Sequence, residues 1–396
     1  MKTILYIEAG TYGGGSFESM YQHLCVLDRQ KYRPLVVYLN QTPFIERVRA
    51  LDIPVHLLYD RHYSLTSPVW QRQFWRVTHY LFDRYAKSLY LPFIRRVHAP
   101  VIGQIVTLIR QERVDLIHLN NHANRDLFAI MAAEATNTPC ISHLRSMRGS
   151  VGFDHQRATY TDKIVTTYIA NSQTTQNYWA TKHIDISRTH LIHNGIPLLP
   201  IKAAPIRQQF NWDADTPVIA CISPLTVDKG QEFLLAGFAH FHQQYPSARL
   251  LIIGGGTLQP KLENLANQLG IANKTTFAGY VTNAKEMAAA ADIMVVPSKE
   301  DSFGRVVLES FLAQTPLVAT DVGSIREVVT PEQNGLLVPY NDVNALTNAW
   351  NRLLTDKTLR QKLTTNGYQT IKENFSINEY ARRVALIYDE ILNNNQ

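Results

Sequence analysis

Short apolar runs alternate with longer stretches of helical periodicity along nearly the whole chain. A first series of predicted strands occupies residues 3–7, 34–38, 55–58, 116–119, 139–142, part of 163–170, and 191–193. A second series occupies 218–222, 249–253, 275–277, 293–297 and 317–319. Helical patterns lie between them, for example at 17–27, 263–269 and 306–313. Strand–helix alternation of this kind predicts doubly wound parallel sheets. The alternation restarts after residues 195–217, which hold four prolines and a polar run, as an inter-domain connection would. Two α/β domains of similar size follow, residues 1–197 and 198–376. A last helical pattern carries Tyr380, Val384, Ile387, Tyr388 and Ile391 at helical spacing. It would either close the second domain or pack back on the first.

Length agrees, since 396 residues exceed what one hydrophobic core usually supports. With 45% hydrophobic and 18% charged residues the balance is that of a soluble globular protein. Cys25, Cys140 and Cys221 stand far apart with no CxxC pair, which argues against a disulfide framework or a zinc site and suits a reducing cytoplasm. The opening MKTILYIEAG is broken by Glu8 and reads as a first strand rather than a signal peptide. No apolar run reaches the ~18 residues of a membrane span.

Charge adds one local feature. Residues 61–98 hold seven basic residues and one acid, a net +6 (seven minus one) that equals the excess of the whole chain. Nine aromatics share the segment. Such a stretch suits an anionic membrane surface or a lipid-linked acceptor. It equally suits two amphipathic helices with core aromatics and solvated arginines. No nucleic-acid-binding motif accompanies the charge, so nucleic acid is not expected as a partner.

Three places carry residues suited to binding a phosphorylated ligand. Gly13-Gly14-Gly15-Ser16 follows the first strand and precedes a helix, where backbone amides and a helix N-terminus favour a diphosphate. It is not GxGxxG, so no dinucleotide fingerprint is present. A glycine turn after a strand also serves purely structural ends. Lys229-Gly230 follows the first strand of the second series, where the ammonium can reach a phosphate at the sheet's carboxyl edge or simply face solvent. The third place is SKEDSFGRVVLESFLAQTPLVATDVGSIREVV. Here Asp301 precedes a helix that starts near Gly304, and Glu309 lies about two turns in. Separated by ~12 Å at most, the two carboxylates suit ribose hydroxyls at one end and sugar hydroxyls at the other. Asp301 is alternatively a helix cap and Glu309 a surface charge. Apolar neighbours on both sides of Glu309 imply that its carboxylate needs a partner.

The run from Ala291 to Val338 resembles the signature of family-4 retaining glycosyltransferases of GT-B fold. It contains ADIMVVPS, the acid–Phe-Gly–Glu spacing, PLVATDVGSIREVV and NGLLVP. The glycine loop, LIHNGIP, Lys229-Gly230, IIGGG and FAGYV extend the likeness over nearly the whole chain, in the family's order. The resemblance implies two Rossmann-like domains facing each other across a cleft, with the helix at 377–396 crossing back onto the N-terminal, acceptor-side domain. It implies a nucleoside-diphosphate sugar donor, a saccharide or lipid-linked acceptor, and neither metal nor other cofactor. Glu309 would hold the ribose, Asp301 would lie beside the transferred sugar, and Lys229 would hold the diphosphate opposite Gly13, Gly14 and Gly15. Gly279 and Val281 would border the base, and Phe303-Gly304-Arg305 would complete the donor site.

Two departures from the family pattern stand out. Asp301 occupies the place of a glutamate, with Glu300 one step out of register, and Pro224 stands where an arginine is common. Arg305 is expected to supply charge nearby. In SHLRSMRG, His143, Arg145 and Arg148 would sit at the strand's carboxyl edge, facing the cleft. The resemblance implies a histidine near here at the donor sugar, with Arg145 cleft-facing and His143 its neighbour. Both are expected to be catalytic together with Asp301; a core histidine and two solvent arginines are the other reading. His118, Asn120, Asn121 and His122 end another strand on what would be the acceptor side. Asp213-Ala214-Asp215 resembles a metal-binding DxD motif but falls just before a strand and reads as a turn. A nucleotide-sugar epimerase and a catalytically inactive nucleotide-sugar-binding protein remain alternatives to transfer.

Overall fold

Among the described residues, seven strands build the first sheet: β1 (Lys2–Glu8), β2 (Tyr32–Tyr38), β3 (Val55–Leu57), β4 (Leu116–Leu119), β5 (Cys140–Leu144), β6 (Thr167–Ala170) and β7 (Thr189–Leu191). Their order is β3-β2-β1-β4-β5-β6-β7, every pair parallel. The computed structural model describes residues 1–10, 14–58, 68–147 and 153–394, apart from the side chains at 69, 72, 76 and 83. Strand β1 shows why the runs are apolar without a break. Leu5 and Ile7 enter the core on one face, Ile4 and Tyr6 the core on the other. A parallel sheet covered on both sides requires both. The second of these cores is closed by helix Ile377–Asn394, which contributes Tyr380, Val384, Ile387, Tyr388 and Ile391.

A second sheet contains β8 (Val218–Ile222), β9 (Arg249–Ile253), β10 (Thr275–Gly279), β11 (Ile293–Val296), β12 (Leu317–Thr320) and β13 (Leu336–Val338). Its order is β10-β9-β8-β11-β12-β13, again parallel. Along β8, Ile219 and Cys221 face one core while Val218 and Ala220 face the other. The chain divides into two units, Met1–Gly195 with Ile377–Gln396, and Ile196–Ser376.

The proline-rich run 195–217 is packed structure rather than a free connection. Ile196 donates its amide to the Phe375 carbonyl at 2.8 Å, and Ile196 and Ile206 are buried in the second unit's core. Leu198, Ile201, Phe210 and Trp212 pack against that core. The spacing of these apolar residues, hidden among prolines, follows neither a helical nor a strand period. Strand β13 has no counterpart among the predicted strands; at three residues it is too short to show a periodicity.

Candidate functional site

In each sheet the strand order reverses at one place, between β1 and β4 in the first unit and between β8 and β11 in the second. Ligands of open α/β sheets bind beyond the carboxyl ends of strands at such places.

In the second unit, the loops leaving β8 and β11 are bonded to each other. The amides of Lys299 and Glu300 donate to the Asp228 carbonyl at 2.8 and 3.3 Å. Gly230 has φ +68°, and a Cβ there would stand 1.9 Å from the Pro297 carbonyl oxygen, so only glycine lets the two loops come this close. Lys229 Nζ thereby reaches Asp301 Oδ2 at 2.6 Å. Ser298 Oγ donates to the same oxygen at 3.3 Å, and Asp301 Oδ1 accepts the Phe303 and Gly304 amides at 3.1 and 2.6 Å. Burial pushes the Asp301 carboxyl up, but the Lys229 ammonium and these bonds outweigh it and hold the group below the usual carboxylate range. Glu300, one residue earlier, is exposed.

Gly304, at φ +69°, precedes helix Arg305–Leu312 and turns the chain into it. Val307, Leu308, Phe311 and Leu312 are buried in the core on one side of this helix. Arg305 and Glu309, four residues apart, share another side, with Arg305 Nε 3.3 Å from Glu309 Oε1. Lys285 Nζ approaches the same oxygen at 3.8 Å. The partners that Glu309 required are thus two cations, and its side chain is only 11% exposed. Gly279 accepts the Gly254 amide at 2.8 Å, which joins the ends of β9 and β10, and Val281 is half-buried against the core. Phe303, expected among the binding residues, is buried. Its ring is 3% exposed and lies 6.2 Å from that of Phe375, so it anchors the loop from inside.

The first unit's edge differs. Arg145 is buried and its guanidinium is held from three directions. It donates to Asn120 Oδ1 at 3.0 Å, Asn194 Oδ1 at 2.6 Å and the Tyr380 hydroxyl at 3.0 Å. His143 is fully buried, with Nδ1 3.2 Å from His118 Nε2. From His118 the bonds continue to the Tyr388 hydroxyl, then to Tyr6 and to His23. Burial, helped by the charge of Arg145, pushes His143, His118 and His23 well down, His23 to about 3, so all three rings are neutral. The structure thus places His143 and Arg145 at buried positions bonded to residues of their own unit. Hydrogen bonds offset the burial of these residues at the end of β5, although His143 Nε2 and His23 Nδ1 make none among the described residues.

Asn120, Asn121 and His122 are buried as well. Glu8 accepts the Gly10 amide at 2.6 Å, Asn121 Nδ2 at 3.1 Å, and Asn120 Nδ2. Asp126 takes the Asn121 and His122 amides at 3.2 and 3.3 Å, and burial together with the Glu8 charge pushes its carboxyl up to about 8. Gly14 is extended and exposed, and Gly15 opens helix Gly15–Val26. Gly13 and Arg148 lie outside the described residues.

Sequence reasoning did not single out Lys285, Asp126 or the role of Glu8. An acid ending an otherwise unbroken apolar strand was a signal for Glu8; Lys285 sits in an unremarkable helix and had none.

Residues 203–370 match the family described as glycosyl transferases group 1, a span that includes Lys229, Lys285, Asp301, Arg305 and Glu309. An uncharacterised glycosyltransferase of Methanocaldococcus jannaschii is 30% identical over 184 residues, 46% of this chain and 47% of that protein. A lipopolysaccharide core biosynthesis mannosyltransferase of Rhizobium meliloti, LpsB, is 25% identical over 53% of this chain and 63% of its own length. The chain spans about half the length of the curated relatives it matches. Over the whole chain the likeness is to solved structures. HepE of Anabaena, crystallised with UDP and glucose, has a TM-score of 0.81 at 21% identity, covering 98% of this chain and 100% of that one. Sucrose-phosphate synthase of Thermosynechococcus elongatus gives 0.76 at 21% identity, covering 99% of each. The fold is therefore of GT-B type, two parallel-sheet α/β domains.

Proposed function

We propose that this protein is a retaining glycosyltransferase of family-4 type, moving a hexosyl group from a nucleoside diphosphate to an acceptor hydroxyl in the synthesis of a cell-envelope polysaccharide or glycolipid. One observation carries the reading: Lys229 follows β8 and Asp301, Arg305 and Glu309 follow β11, the two strands at the reversal point of the second sheet, with Lys229 paired to Asp301 and Arg305 to Glu309, all within the matched span. The HepE complex and the lipopolysaccharide relatives support a nucleotide-sugar donor and an envelope product. The three free cysteines suit a cytoplasmic setting.

In the proposed reaction the bond from the anomeric carbon to the leaving phosphate oxygen breaks. The acceptor oxygen bonds to that carbon on the same face, and its proton passes to the departing diphosphate. An ammonium carries three N–H donors; Lys229 uses one on Asp301 and offers the others to the diphosphate. Charge held ready where negative charge develops accelerates reactions of this kind more than any other single effect. Asp301, one methylene shorter than the family's usual glutamate, holds Lys229 and the loop in place beside the sugar. Glu309, with its carboxylate oriented by Arg305 and Lys285, receives the ribose hydroxyls.

The same Lys229–Asp301 pair favours a second reading, a binding protein without transfer, because the carboxylate already neutralises the cation and Pro224 replaces an arginine. A thermal-shift screen of nucleotide-sugars followed by assays with added acceptors separates the two. We expect one donor class to stabilise the protein and Glu309→Ala to weaken its affinity at least ~10-fold. An unchanged affinity would sink the ribose assignment. Donor binding without transfer to any acceptor would establish the second reading, and inversion of a sugar centre without an acceptor would indicate an epimerase.

A further inference from the structure

The helices that follow β3 carry more apolar surface than their own unit uses. Helix Val69–Tyr85 attaches to helix Lys87–Val97 through one stripe. Phe82 stacks on Phe93 with centroids 4.1 Å apart, and His79 meets Phe93 edge-on at 5.1 Å. Ile94 in turn is buried against Leu127 and Met131. Away from that stripe, Trp70, Phe74, Val77, Leu81 and Tyr85 remain 70, 57, 56, 46 and 76% exposed. At ~100° per residue they occupy an arc of about 80°. Their spacing is the one by which a helix ordinarily faces a core. Leu89, on the second helix, is exposed as well. Scattered exposed apolar residues need no explanation, but a continuous row of this length marks an interaction surface.

Charge decides what covers it. Residues 69–97 hold six basic residues, Arg72, Arg76, Arg84, Lys87, Arg95 and Arg96, against the single acid Asp83. Of these, Arg84, Lys87 and Arg96 are exposed, while Arg95 binds Glu134 at 2.6 Å. Exposed Trp and Tyr beside cations are the residues that favour the boundary between lipid headgroups and acyl chains. The geometry points to this helical pair lying on an anionic lipid surface, the apolar row immersed at the headgroup level and Arg84, Lys87 and Arg96 against the lipid phosphates. Apolar burial and charge act together, as stable attachment without a spanning helix requires. Among the described residues no helix is long and apolar enough to cross a membrane. The inference is independent of the donor site, which lies in the other unit.

The test is sedimentation of the full chain with vesicles of phosphatidylcholine, alone or mixed with phosphatidylglycerol. Binding is expected to the mixed vesicles and to weaken with added salt. Combined Trp70→Ser, Phe74→Ser and Leu81→Ser should reduce it at least ~10-fold. Combined Arg84→Gln, Lys87→Gln and Arg96→Gln should reduce it about fivefold per charge, on mixed vesicles only. Because these side chains are exposed, both variants should keep the wild-type circular dichroism and Tm. Should the first misfold, quenching of wild-type fluorescence by brominated lipid, absent in Trp70→Phe, is the second readout. No sedimentation of the wild type with mixed vesicles, or undiminished binding of the apolar variant, overturns the inference. So does dimerisation that the apolar variant abolishes in a protein that ignores vesicles, for the row is then a protein interface.

Discussion

The two sheets reverse their strand order in the same way, yet the polar residues at the two reversal points are organised in opposite manners. In the first unit Glu8, Asn120, Asn121 and Arg145 are buried and bonded to one another, His118 and His143 form a second buried pair, and Arg145 and His118 both reach the last helix, through Tyr380 and Tyr388. In the second unit Lys229 and Asp301 lie in the segments that follow β8 and β11, 21% and 11% exposed; Asp301 accepts from Lys229, Ser298 and two backbone amides, while the Lys229 ammonium is paired on the Asp301 side. A buried network whose members bond to each other fixes a shape. A partly exposed cation paired on one side keeps donors for a ligand. The difference teaches where the proposal is best tested: similar residue types at similar strand ends are bonded inward in one unit, while in the other a partly exposed lysine keeps donors available.

Breaking each centre should therefore give different kinds of damage. Arg145→Ala leaves the oxygens of Asn120, Asn194 and Tyr380 without their shared donor, and unsatisfied buried groups cost ~1–3 kcal/mol each. We expect the first unit to lose about 3 kcal/mol or more, read by hydrogen exchange in its sheet, with exchange in the second unit unchanged. Equal loss in both units, or none in either, would refute the contrast. Lys229→Ala should do the reverse, lowering kcat by ~10²–10³ with the donor selected by the thermal-shift screen and leaving exchange in the first unit as it was. A wild-type rate in that variant would remove Lys229 from the leaving-group site.

The contrast also explains what could be read from the chain beforehand. Strand–helix alternation made both sheets legible, because parallel strands covered on both faces are apolar throughout. In the second unit the candidate residues could be named beforehand, since Lys229-Gly230, Asp301 and Glu309 lie close along the chain to the turns and helix that position them; their use as a donor site is the proposal made above. The first unit's network was not. Arg145 is held by Asn120, Asn194 and Tyr380, from 25 to 235 positions away. No local pattern reports such distances, so the internal bonds of a motif that ends a strand cannot be read from the motif. The burial of Phe303 was not legible for a related reason: its ring meets Phe375, 72 positions away.

The finest test of the contrast is acid. In the first unit His23, His118, His122 and His143 are all pushed down by burial, His23 and His122 to about 3. An unfolded chain protonates each near pH ~6.5, so folding stability falls as the pH drops below that value. Asp126 works the other way, for a carboxyl raised to about 8 is protonated in the fold and ionised in the unfolded chain down to pH ~4. Four histidines minus one carboxyl leave the unfolded first unit with three more protons than the folded one between those limits. In the second unit Asp301 is held low, so its contribution is lost only as the pH falls below ~4. Replacing a single histidine, His23→Gln, should remove one proton from the balance and flatten the first unit's stability curve by ~1.4 kcal/mol per pH unit below pH ~6.5. Measured by hydrogen exchange at several pH values, the slope should change in the first sheet and not in the second. An unaltered slope would mean that His23 is protonated in the folded protein and that the buried chain of rings is not neutral.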